Sequence, residues 1–126
     1  MPQESRPNRR RKSNRDRLIL DHVVRHHITT NQVVQRLYFP CQEYNAVTKV
    51  TARLCRQLSL CKFVLCQPRV YFTLGPQAAK DLGVSLGQTY PLGPQSLPTE
   101  YGVLAYAILG TAVHVRLTAD ELQALC

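Results

Sequence analysis

Residues 42–74 read QEYNAVTKVTARLCRQLSLCKFVLCQPRVYFTL, and within them the hydrophobic period changes from one that suits a helix to one that suits strands. At 100° per residue, Val47, Val50, Thr51, Leu54 and Leu58 gather on one side. Gln42, Asn45, Lys49, Ala52, Arg53 and Arg56 gather on the other, with Thr48 at the margin. This pattern predicts an amphipathic helix over residues 42–58 with one face for a core and one suited to a DNA groove. Arg and Lys donate to guanine edges or phosphates, Asn and Gln pair with adenine, and the small Ala52 allows close approach.

Residues 60–66 and 69–74 are rich in β-branched and aromatic types, and Gln67-Pro68 breaks the run, so a β-hairpin is expected. In this reading Phe63, Leu65, Val70 and Phe72 face inward, while Lys62, Gln67 and Arg69 sit on or near the hairpin, facing a DNA backbone beside the groove.

Upstream, Leu18, Ile19, Leu20, Val23 and Val24 form the apolar stripe of a helix over residues 16–27. Thr29 with Gln32 three residues on has capping-box spacing and opens a helix over residues 31–39, burying Val33, Val34 and Leu37; Pro40 stops it. Thr30, at the start of that helix, is a further candidate DNA contact. Downstream, Pro76 at a first helical position and Gly83 as a stop bound a short helix over residues 76–82. The fold class expected is mainly α with a small β-hairpin (α+β). Three helices followed by a hairpin is the winged helix-turn-helix order, here spanning residues 15–82.

Around this unit, residues 1–14 are expected to be a disordered basic arm whose Arg9, Arg10, Arg11 and Lys12 add affinity for phosphates. Residues 83–97, with Gly87, Pro91, Gly93 and Pro94, read as an extended linker and domain boundary. Residues 98–109 are apolar nearly all round, which requires cover either from the preceding domain or from a second subunit. The second is the expectation: residues 98–126 as a homodimerisation or docking segment, with Tyr101, Leu104, Tyr106, Ile108, Leu109, Leu122 and Leu125 at the interface. Thr118 and Glu121 have the spacing of a second capping box.

The net charge of +8 is unevenly spread: residues 1–17 carry +5, residues 18–80 carry +6 and residues 81–126 carry −3. Positive charge on the first two thirds fits a polyanion partner. No apolar run approaches a membrane span, and the charged start is not a secretory signal, so a cytoplasmic, nucleoid-associated protein is expected. The five cysteines (Cys41, Cys55, Cys61, Cys66 and Cys126) lack the paired spacing of a zinc site. His22, His26, His27 and His114 have one nearby carboxylate, Asp21, and adjacent His26 and His27 point about 100° apart on a helix. With scattered carboxylates and no glycine-rich phosphate loop, the chain is expected to be no enzyme and to carry no metal or cofactor.

One resemblance adds to this reading. The run from Arg17 to His27, then Ile28-Thr-Thr-Asn-Gln-Val33 before Leu37-Tyr-Phe-Pro40, then residues 54–60, and finally Val70-Tyr-Phe-Thr-Leu-Gly-Pro-Gln-Ala-Ala79, resembles the winged-helix part of the replication-relaxation family. These are prokaryotic DNA-binding proteins of plasmids and other mobile elements. The similarity covers residues 16–82. Pro76-Gln77 departs from the Thr-Pro opening expected there, and the C-terminal part is short. The resemblance implies a bacterial origin and a role in transcription, replication or mobilisation. The expected function is therefore a sequence-specific double-stranded DNA-binding regulator, a repressor. The alternatives are an accessory factor at a replication or transfer origin and a protein-interaction module on the same scaffold.

Overall fold

The computed structural model describes residues 13–110 together with Thr118, Glu121 and Ala124. The elements run α1 (Asn14–His26), α2 (Asn31–Tyr38), α3 (Tyr44–Arg56), β1 (Leu60–Cys66), β2 (Arg69–Leu74), α4 (Pro76–Leu82), a 3-10 turn (Leu86–Thr89) and α5 (Ser96–Ile108). This is a mostly helical α+β chain with a small two-stranded antiparallel sheet. None of the described helices is long and apolar enough to cross a membrane.

Local chemistry explains most of the boundaries. Ser13 caps α1 by accepting from the Asp16 amide at 3.1 Å. The cap of α2 is Thr30, whose hydroxyl accepts from the Val33 amide, and not Thr29 as the spacing suggested. Thr29 is taken elsewhere. Its backbone exchanges two hydrogen bonds with Phe72, at 3.0 and 2.8 Å, and so adds a one-residue bridge to the sheet. Its hydroxyl meets His22 Nε2 at 2.9 Å.

α3 is shorter than expected at both ends. Gln42 lies in the turn after Pro40, where its amide donates to the Phe39 carbonyl, and Glu43 is the N-cap. At the other end Ser59 N–H bonds Leu54 O and Leu58 N–H bonds Cys55 O, with Leu58 at φ 60°. That is a Schellman closure, which normally takes glycine because an L side chain is strained in the left-handed region. The same closure ends α4, where Val84 N–H bonds Ala79 O and Gly83, at φ 68°, bonds Lys80 O. Leu58 therefore leaves the apolar face assigned to it and is 56% exposed.

The two strands pair from Leu60↔Leu74 to Val64↔Val70, with an irregularity before Cys66↔Arg69. Gly75 lets the corner after β2 lie on the α3–β1 turn: a Cβ there would stand 2.2 Å from Leu58 O. The contact is fixed by Gly75 N–H to Ser59 O and Gln77 N–H to Leu58 O, at 2.8 and 3.0 Å.

The hairpin is covered on both faces, which differs from the single inward face expected. Phe72, Leu60 and Leu74 belong to the main core with Ile19, Val23 and Leu54, and Val70 packs against it. Phe63 and Leu65 lie on the opposite face with Tyr71, in a second core formed with Ile28, Val33, Leu104, Ala107 and Ile108. The Phe63 and Tyr71 rings sit 5.7 Å apart.

α5 is thus packed on its own chain, correcting the dimer assignment for several residues. Leu104 and Ile108 are buried within the chain, and Tyr101 and Leu109 pack against the same cluster. Burying an apolar helix on the uncovered face of an adjacent hairpin removes it from water without the cost of association. Only Tyr106, 72% exposed, keeps an outward position among the described interface candidates; Leu122 and Leu125 lie outside the described residues. The segment read as a free linker is strapped down as well. Thr73 Oγ1 donates to Thr89 O at 3.1 Å, and Leu92 N–H donates to the Tyr71 hydroxyl at 3.1 Å. Further on, Thr118 and Glu121 form the reciprocal capping box, and the Glu121 carboxylate meets Arg25 of α1.

Candidate nucleic-acid interface

α3 is anchored by Val47, Thr51 and Leu54, all buried. Thr51 Oγ1 donates to Asn31 Oδ1 at 2.8 Å, which fixes α3 against the start of α2. With that side down, Asn45, Lys49, Ala52 and Arg56 follow one another along the opposite side and are exposed, as is Gln42 just before the helix. Thr48 is half-buried and its hydroxyl donates to the Asn45 carbonyl, which ties it to its own helix. No acidic residue occurs between Tyr44 and Arg56.

Arg53 has a different role from the one expected. Its guanidinium donates through both terminal nitrogens to the Asp16 carboxylate, at 2.9 and 3.1 Å. The Asp16 side chain is 4% exposed and that of Arg53 39%. A bidentate bond to a carboxylate held out of water ties α3 to the start of α1. The same pairing raises the Arg53 pKa, with the Asp16 hydrogen bond the largest cause. Thr30 is a second correction. It is 7% exposed and its hydroxyl is committed to the cap, so its side chain belongs to the folding of α2.

The hairpin flanks this surface with charge. Lys62, Gln67 and Arg69 are exposed. The charge of Lys62 is felt at the Cys55 thiol on α3, although burial dominates there and pushes the thiol pKa up. At the far end of the hairpin, Arg69 borders a groove of about 500 Å³ whose other walls include Asn31, Gln32, Gln35, Tyr44 and Tyr101. None of the residues lining it is Asp or Glu. Sequence reasoning gave Gln32 only a capping role, placed Tyr101 at a subunit interface and assigned nothing to Gln35 and Tyr44. Gln32, Gln35 and Tyr44 lie on α2 and α3 themselves, but Tyr101 reaches the groove only because α5 folds back, which no local pattern announces. Arg9, Arg10, Arg11 and Lys12 lie outside the described residues.

A pair of histidines is buried on α1. His22 and His26 lie one helical turn apart with ring centroids 4.7 Å apart, and Tyr38 approaches His22 edge-on. Burial, and then the neighbouring His26, lower the His22 pKa from its ordinary 6.5 to about 3. At neutral pH this ring is uncharged and serves to hold Thr29, and through it the sheet edge, against α1.

No protein-family model, curated protein or solved structure matches the chain. The resemblance to the winged-helix part of replication-relaxation proteins therefore rests on the residues quoted for it.

Proposed function

We propose that the chain is a sequence-specific double-stranded DNA-binding protein of the winged helix-turn-helix type, acting as a transcriptional regulator, a repressor. In this reading α3 enters the major groove and the β1–β2 hairpin lies on the sugar-phosphate backbone. The observation that carries it is the outward row Asn45, Lys49, Ala52 and Arg56. The row is exposed, has no acid within its helix and runs beside a hairpin bearing Lys62 and Arg69. Asn45 and Gln42 supply amide edges for adenine, Lys49 and Arg56 supply donors for guanine or phosphate, and Ala52 keeps the backbone close.

Selection of bound sites from a random duplex pool, followed by fluorescence anisotropy on the selected site, tests the proposal. If Lys49, Arg56, Lys62 and Arg69 each displace one counterion, log K falls against log salt with a slope of roughly −3.6. Affinity then drops about 150-fold between ~50 and ~200 mM salt, and more steeply if the N-terminal arm takes part. Enrichment of no sequence, or affinity indifferent to salt, would refute the reading. Footprinting on the protein's own upstream region separates a repressor from an accessory factor at an origin.

A further inference from the structure

Apart from Arg69, the groove between the hairpin end and α2 is built from residues that the DNA-reading surface does not use. Six of its ten lining side chains can donate hydrogen bonds: the amides of Asn31, Gln32 and Gln35, the hydroxyls of Tyr44 and Tyr101, and the guanidinium of Arg69, set beside the apolar Leu65, Pro68 and Val70. Asn31 has its Oδ1 engaged by Thr51, which leaves its NH2 group as the end able to bind. Gln35 donates to the Gln42 carbonyl and so stiffens the wall next to α3. Carboxylates are missing from the lining. The groove is partly open to solvent, and its lining residue Tyr44 immediately precedes Asn45, the first residue of the outward row.

A lining that offers several donors and one cation, with no carboxylate to repel an anion, matches the chemistry of a phosphodiester, which only accepts hydrogen bonds. A partly open groove at the start of the helix that carries this row suits a strand lying across it better than a small molecule that must be enclosed. The geometry points to this groove as the seat of one sugar-phosphate strand of the bound duplex, with Gln32, Tyr44, Arg69 and Tyr101 as its contacts. α5 is then part of the DNA-binding surface through Tyr101. This inference rests on the function proposed above. It adds a strand position and residues that the α3 face alone does not require.

The test uses the full chain and the selected duplex, read by anisotropy at ~100 mM salt. Gln32 is exposed in the first turn of α2, where an acidic residue is compatible with the helix. Gln32→Glu places a negative charge in the groove. Lys80→Gln, on the exposed side of α4, changes net charge by the same single unit elsewhere. Gln32→Glu is expected to weaken binding ~10-fold or more and Lys80→Gln less than ~2-fold, on the usual scale of lost phosphate contacts. Tyr101→Phe, which removes only the hydroxyl, is expected to weaken binding ~3-fold, and Arg69→Gln to reduce the salt slope by ~0.9. Equal small effects of Gln32→Glu and Lys80→Gln, with Lys49→Ala still damaging, overturn the groove assignment and leave the α3 reading standing. Absence of duplex binding by the unaltered chain overturns both. Inorganic phosphate and a mononucleotide serve as competitors at matched ionic strength. Displacement of the duplex by millimolar mononucleotide assigns the groove to a free nucleotide and overturns the strand assignment; no displacement supports it.

Discussion

Replacing Leu104 by alanine tests the joint between α5 and the hairpin. Leu104 is 0% exposed and belongs to the cluster of Ile28, Val33, Tyr71, Ala107 and Ile108, so truncation removes buried methyl groups and leaves a void bounded by two elements that cannot both collapse into it. Core Leu→Ala changes of this kind cost about 3 kcal/mol, within a range of roughly 2.7–5. For a chain of 126 residues that lowers Tm by about 12 °C, at roughly 4 °C per kcal/mol. Urea unfolding should be followed by far-UV circular dichroism and by tyrosine fluorescence, since the chain has no tryptophan. Both probes should shift together to a lower midpoint with an unchanged slope, because α5 and the hairpin share a core. The stability change should also be independent of protein concentration. A midpoint that stays put, or one that moves only as the protein is diluted, would refute the intrachain packing and return Leu104 to a subunit interface.

Three further outcomes are expected from the contacts described above. Arg53→Ala should cost ~1–3 kcal/mol of stability by leaving the buried Asp16 carboxylate unpaired, whereas Lys49→Ala should stay within ~0.5 kcal/mol and instead lose ~1–3 kcal/mol of DNA affinity; parallel melting and anisotropy curves check the contrast. Leu58→Gly should stabilise the chain by about 1 kcal/mol, since it relieves a left-handed leucine that buries little, and a higher urea midpoint is the readout. Folded His22 stays neutral down to about pH 3 while its unfolded counterpart takes up a proton near 6.5; stability is therefore complete above pH 6.5 and falls by up to ~1.4 kcal/mol per unit of acidification towards pH 3. In pH-dependent unfolding, His22→Gln should flatten that limb.

The order of elements was legible because its signals are local. The Leu60–Cys66 and Arg69–Leu74 strands and the Pro76–Leu82 helix have the bounds that β-branched runs, the Gln67-Pro68 break, Pro76 and Gly83 suggest. The end of α3 was not legible, because a leucine occupies the place where glycine normally marks the stop. The cap of α2 was misread by one residue: Thr29 and Thr30 have equivalent side chains, and only the bridge to Phe72 decides between them. At the candidate site, the exposed row of Asn45, Lys49 and Arg56 could be read from helical period alone. The diversion of Arg53 could not, since its partner Asp16 lies 37 residues away and periodicity says nothing of tertiary pairing. The fate of α5 was hidden for a related reason: an apolar sequence announces that it needs cover without saying from where.

The double-sided hairpin has a practical consequence for anyone who trims this chain. A fragment ending at residue 82, the boundary that composition suggests, would strip the cover from Phe63, Leu65 and Tyr71 and present a wet aromatic sheet face. Such a fragment would stick to itself, and the resulting pairs would be an artefact of the cut that imitates a natural dimer. Pieces made for DNA work should keep the chain at least through residue 110.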